Sequence, residues 1–281
     1  MARSWGGDTT KSLSQGTADS INHLLHDIVF RSTYDEGGVR DYFNISIIGY
    51  GNNKIDSGIS SRSIDQLPAS LNEIADTKTE ERTRKVEDGT GGLVEENVRV
   101  PIWMDPVANG NTPMCEALNK SYDIVDKWIA SHQDSFPPTV INITDGEPTD
   151  GNPEPISEKI RNLHTDDGNV LLFNIHISPL DGKEIIYPST DESLPDDNAK
   201  RLFRMSSVLP ALVRDEATRR GYTLDDNARG FVFNAGLVTL IQALNIGTGG
   251  TQSQVEGTPP VGITMNPKEF TEGLTYESRE G

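Results

Sequence analysis

Between Asp19 and Phe30 the apolar residues Ile21, Leu24, Leu25, Ile28 and Val29 fall on one face at 3.6-residue spacing, which predicts an amphipathic helix. Ile45, Ile47 and Ile48 make a strand of Phe43 to Tyr50, ending at Gly49-Tyr50-Gly51. A long polar stretch follows, Asn52 to Asn97, which reads as mixed helix-like and loop-like segments. Its charge run from Asp76 to Lys85 reads as a solvated face. Val98 to Trp103 is a strand, and the helix after it carries Met114, Leu118, Tyr122, Val125 and Ile129 on one stripe, a core pattern. Val140, Ile141 and Ile143 form a short strand entered through Pro137-Pro138. Pro155 to Leu163 reads as a helix with its proline near the start. Val170 to Ile177 is almost continuously apolar, as expected of a strand covered on both faces, and His176 within it reads as a packed residue rather than a ligand. Tyr187 to Asn198 is a loop, Asn198 to Arg220 one or two helices, and Gly230 to Phe233 a strand. Leu237, Leu240, Ile241 and Leu244 predict a last helix. Strand and helix thus alternate, which argues for a doubly wound, mainly parallel sheet flanked by helices. From Gly247 the chain turns Gly-, Thr- and Pro-rich, so residues 1–246 are expected as one domain and 247–281 as a flexible acidic tail.

The length of 281 residues suffices for one large α/β domain. Lys and Arg total 25 against 43 Asp and Glu, a net charge of −18, which argues against a nucleic-acid or anionic-membrane surface and suits a cation-binding protein. Cys115 is the sole cysteine, so no intrachain disulfide forms, and it reads as packed rather than reactive. No apolar run is long enough to suggest a membrane span. Gly89-Thr-Gly-Gly92 lacks the Gly-Lys-Ser/Thr ending of a phosphate cradle and reads as a turn.

The chemistry concentrates in two loops. The Val140 strand runs into Thr144-Asp-Gly-Glu-Pro-Thr-Asp150, rich in oxygen donors, at the position where open α/β sheets bind ligands. Upstream, Asn109-Gly-Asn-Thr-Pro-Met-Cys-Glu-Ala-Leu118 is a glycine loop opening a helix, with Thr112 at its first turn. Together these pieces resemble the von Willebrand factor A family, over roughly residues 1–246. The resemblance matches Thr112 to the threonine of the second metal-site loop and Asp145 to the aspartate of the third. It implies a non-catalytic protein-binding module with an adhesion-type divalent site holding Mg2+, or Mn2+ or Ca2+. The partner would be another protein, engaged through an Asp or Glu carboxylate, with no nucleic acid and no membrane. The resemblance to intracellular bacterial members implies a cytoplasmic location.

The family's first loop, Asp-x-Ser-x-Ser, is absent, and the chain looks as if it starts one residue past it. Its central first strand, between the Ile45 and Val140 strands, would be missing too. The expectation is a longer native protein, with those two strands in one sheet. Mg2+ takes six oxygen ligands, and Thr112 with Asp145 is a poor cage, so weak binding is expected. Asp8, Asp105 and Glu147 are candidate substitutes. Two other readings stand beside this one: a metal-independent scaffold with a degenerate site, and a metal-dependent hydrolase. Against an enzyme, Gly-x-Ser-x-Gly is absent and no Gly-x-Gly-x-x-Gly follows the first strand. An EF-hand counted from Asp145 fails at Gly151 and Ile156.

Overall fold

A computed structural model of the chain describes residues 4–5, 8–33, 38–87, 92–106, 110–178 and 182–252. The expected tail beyond residue 252, and residues 89–91 of the expected glycine turn, lie outside the described residues.

A hairpin of β1 (Ser4–Trp5) and β2 (Asp8–Ser12) leads into α1 (Leu13–Ser32). The helix begins six residues before Asp19, because Ser12 caps it by accepting from Gln15 N at 3.2 Å. Next come β3 (Asn44–Ile45), the hairpin β4 (Ile48–Gly51) and β5 (Lys54–Ser57), then β6 (Ala69–Ser70), which pairs back with β3, and α2 (Leu71–Ile74). A long antiparallel ribbon follows, β7 (Lys78–Glu87) and β8 (Leu93–Ile102). The remaining elements are α3 (Met114–Ile129), β9 (Thr139–Thr144), α4 (Glu154–Asn162), the small hairpin β10 (His164–Thr165) and β11 (Gly168–Asn169), β12 (Leu171–Ile177), β13 (Ile185–Ile186), α5 (Asp197–Met205), α6 (Ala211–Arg219), β14 (Phe231–Ala235) and α7 (Leu237–Gln252).

The central sheet has the order β13-β14-β12-β9. β12 runs parallel to both β9 and β14, while β13 adds an antiparallel edge. The architecture is therefore a mainly parallel, mixed sheet flanked by helices. Alternation along β12 divides the core. Leu171, Phe173, Ile175 and Ile177 face a layer that includes Leu13 of α1, Val213 of α6 and Leu240 and Leu244 of α7. Leu172 faces the other layer, with Met114 and Leu118 of α3, Ile160 of α4 and Leu202 of α5. Packing is tight around Phe173, which is 0% exposed. A Cβ on Gly230 would lie 2.9 Å from its ring, and one on Gly247 of α7 would lie 3.2 Å from Ile141. Neither site has room for a larger residue without movement.

Two expectations are corrected. The Ile45 strand does not join the Val140 sheet: among the described residues β3 pairs only with β6, and β9 is the last strand of its own sheet. No described strand pairs with both, so no ladder links Ile45 to the central sheet. Second, much of the polar stretch is β-structure. Lys78, Thr79, Glu80 and Glu81 are all exposed on β7, so the charged run is solvated on both faces of a strand. Arg82 reaches back to α1 and donates to Asp19 at 2.9 Å, where the carboxylate also accepts from Gln15 Nε2 at 3.0 Å. No described helix is long and apolar enough to cross a membrane.

Candidate functional site

Thr112 and the Asp145 loop meet at the carboxyl edge of the sheet. Thr112 N donates to Thr149 Oγ1 at 3.0 Å, and Thr149 N returns a bond to Thr112 O at 3.0 Å. A Cβ on Gly146 would lie 3.7 Å from Thr112 Oγ1, so Thr112 stands beside the Asp145-Gly146 turn. Asp150 completes the staple. Its two carboxylate oxygens accept from Cys115 N at 3.0 Å and Glu116 N at 2.9 Å. These are orphan amides of the first turn of α3, whose own N-cap is Pro113 and supplies no capping oxygen. A carboxylate there is also favoured by the helix dipole.

The oxygen-rich loop is thus used to hold a helix. Asp105, one of the candidate substitutes, faces elsewhere: Lys78 Nζ donates to it at 2.6 Å and Ser60 Oγ at 3.0 Å. The Lys78 hydrogen bond holds its carboxyl below the usual range. Glu147 is exposed, and the side chain of Asp8 lies outside the description. Among the described residues no group of three or more His, Cys, Asp or Glu could hold a metal ion. The expected adhesion-type site, and with it binding of Mg2+, Mn2+ or Ca2+, is therefore corrected. The residues present do not fit a divalent cation, because Thr149, Asp150 and Asp105 bind protein donors instead.

Cys115 is half-buried beside this staple, and its thiol is pushed up to about 11 by burial and by the Asp150 carboxylate. Only the thiolate is nucleophilic. Alkylation by iodoacetamide at pH 8 is therefore expected to run at least about tenfold slower than for a free cysteine. Asp150→Asn should speed it, while costing about 0.5–2 kcal/mol of stability through the weakened cap. Rates unchanged by Asp150→Asn would show that the carboxylate does not control the thiol.

Beneath the loops a buried polar chain crosses the sheet. Tyr50 Oη of β4 donates to Asn142 Oδ1 at 2.6 Å and Ile143 O at 2.9 Å. Asn142 Nδ2 donates to Asn174 Oδ1 at 2.8 Å, Asn174 Nδ2 to Ser206 Oγ at 3.0 Å, and Ser206 Oγ to Leu202 O at 2.7 Å. Burial, with Asp145 and Asp150 nearby, pushes the Tyr50 phenol above its ordinary range, so it stays a donor. The sequence signal for this chain was an asparagine in each of two otherwise apolar strands.

His176 stacks on Phe233 at 4.8 Å, and its Nδ1 accepts from Asn234 N at 3.3 Å. Burial lowers its pKa, while Asp196 and Asp145 pull the other way. The unfolded chain then takes the proton first. Stability is full above about pH 6.5 and is lost as pH falls towards the folded-state value. His23, also lowered by burial, adds to this slope. Thermal melts from pH 7.5 to 5 should show it, and His176→Gln should flatten part of it; an unchanged profile in that variant would refute the assignment.

Compared with protein-family models, with curated proteins and with solved structures, the chain matches none, so its assignment rests on the architecture itself: a mixed central sheet flanked by helices, of the general Rossmann-like α/β type.

Proposed function

We propose that the protein is a metal-independent scaffold, related in design to the von Willebrand factor A domain, that binds another protein at the carboxyl edge of its sheet and catalyses no reaction. The observation that carries this reading is the reciprocal staple of Thr112, Thr149 and Asp150, which fixes two loops against α3. Fixed loops present a surface at little ordering cost on binding. Exposed Glu147 stands on that surface near half-buried Asp145. With no cation to bridge two carboxylates, this acidic platform is complementary to Lys or Arg, so the proposal takes a basic segment as partner.

The test uses the full chain and a peptide array containing basic, neutral and acidic sequences. Basic peptides should bind, more weakly at high salt. EDTA should change nothing, and Glu147→Lys should weaken binding at least about tenfold. Capture of acidic peptides that requires Mg2+ would overturn the reading.

A further inference from the structure

Two half-buried arginines meet at the amino edge of the central sheet, the edge opposite the acidic loops. Arg161 lies in the last turn of α4, and Arg229 stands two residues before β14. Backbone bonds pin both neighbourhoods to the start of β12. Leu163 O accepts from Val170 N at 2.8 Å, Ser207 N donates to Leu172 O at 2.8 Å, and Gly230 N donates to Ser207 O at 2.9 Å. Arg62, Arg82, Arg214 and Arg220 are half-buried too, and each of them binds a carboxylate. Among the described residues neither Arg161 nor Arg229 forms an ion pair, in a chain with 43 acidic side chains.

The donors of both side chains are largely unused. Arg161 Nε is sealed from solvent and has no hydrogen-bond partner among the described residues. Exposed Glu158, one turn back, attracts the guanidinium without closing an ion pair. Arg229 Nη1 donates to Ser206 O at 2.6 Å, and its guanidinium centre lies 5.1 Å from the centroid of the Phe203 ring. Those contacts fix its plane and leave Nε and Nη2 without a described acceptor. Burial, and after it the charge of Arg161, lowers the pKa of Arg229 from its ordinary value, so each cation raises the cost of the other. The C-terminal ends of α4 and α5 offset about half a unit of charge each, but give Arg161 no acceptor.

The shape of these donors selects the ligand. They belong to two planar forks carried on different elements. A carboxylate lies in one plane and serves one fork in bidentate fashion. A tetrahedral oxyanion has oxygens for both.

We infer that Arg161 and Arg229 together bind a phosphate group, borne by a small phosphomonoester or free as inorganic phosphate, at the amino edge of the sheet. Its oxygens accept from the Nη nitrogens of Arg161 and from Nε and Nη2 of Arg229. The anion offsets the repulsion within the pair. The site is independent of the acidic platform, and either can fail without the other.

The test titrates inorganic phosphate, phenyl phosphate, sulfate and acetate into the full chain at pH 8 and constant ionic strength, where phosphate is a dianion. Heat and amide NMR shifts at Leu163 and Gly230 are read together. Phosphate should bind one to one with a dissociation constant below about 1 mM. Sulfate should bind comparably, and acetate at least about tenfold more weakly. Tighter binding of phenyl phosphate than of phosphate assigns the site to a monoester, and the reverse assigns it to the free ion; both support the site. Arg161→Gln and Arg229→Gln should each weaken phosphate binding at least about tenfold. Arg161→Gln breaks no described side-chain bond, so it should melt no lower than the parent in chloride buffer. Arg161→Lys keeps the charge without the fork and should lose about as much affinity. Arg204→Gln removes the same charge from α5, where it pairs with Glu154, and should stay within about twofold of the parent. No saturable phosphate binding by either readout, or binding undiminished in both glutamine variants, overturns the inference. Parental affinity in Arg161→Lys, or an equal loss in Arg204→Gln, reduces the site to diffuse charge and overturns it. Acetate binding as tightly as phosphate overturns it as well.

Discussion

Asn174→Ala is expected to lower the unfolding free energy by about 2–4 kcal/mol, since it removes a hydrogen-bond partner from two buried groups and leaves one of them, the Asn142 amide, without its carbonyl acceptor. Asn174 is 0% exposed and bonds to both Asn142 Nδ2 and Ser206 Oγ. Ser206 keeps a second bond to Leu202 O, so the orphaned Asn142 amide dominates the loss. The double variant Asn142→Leu/Asn174→Leu removes both amides and keeps the volume. It should recover much of that loss, because replacing both partners by apolar groups of similar shape is far cheaper than removing one. Tyr50 retains Ile143 O in that background. Urea titrations of the single and double variants decide the matter, and strictly additive losses would refute the network.

Phe173→Ala should cost about 3–5 kcal/mol, as expected when a fully buried ring is deleted and its cavity only partly closes. Gly230→Ala should cost about 1–3 kcal/mol, because its methyl meets the Phe173 ring inside contact distance. The informative measurement is the pair. With the ring gone, the Gly230→Ala methyl enters the cavity and should be neutral or stabilising. A coupling of about 1–3 kcal/mol is therefore expected between the two positions, within the range for residues in contact. Independent effects would mean that β14 and β12 do not approach as closely as the geometry states.

The elements that could be read from sequence are those whose burial is one-sided and apolar. The α3 stripe put Met114, Leu118 and Ile129 in the core, and β12 appeared as an apolar run because helices cover both its faces. The first turns of α1 were invisible for the opposite reason. Their buried residues include Ser14, Gly16, Thr17 and Ser20, and Thr17 and Ser20 satisfy their hydroxyls on Leu13 O and Gly16 O inside the helix. Of the β7–β8 ribbon the Val98 end was legible as a strand, whereas Lys78 to Glu81 of β7 are exposed at successive positions and print no apolar alternation. At the site, the meeting of Thr112 with the Asp145 turn followed from topology, since each follows a strand and precedes a helix. The misreading was of purpose. Asp150 stood in the sequence as one oxygen donor of a loop read as metal-binding through Asp145, and the clue that it caps α3 was Pro113, which leaves that helix without a cap of its own.

The asparagine pair has a consequence for how the chain finds its sheet. Asn142 and Asn174 are direct partners in the β9–β12 register. A slip by one residue would exchange the two faces of a strand, and a slip by two would set Asn142 against Leu172 and Asn174 against Thr144, or Asn142 against His176 and Asn174 against Val140. Each of these slips parts the two carboxamides and sets at least one of them against an apolar neighbour or on the wrong face, while the correct register joins them. Parallel pairings close long loops and form slowly. In such a search the amides act as a checksum: mismatched encounters are short-lived, and the sheet locks only when the two asparagines meet.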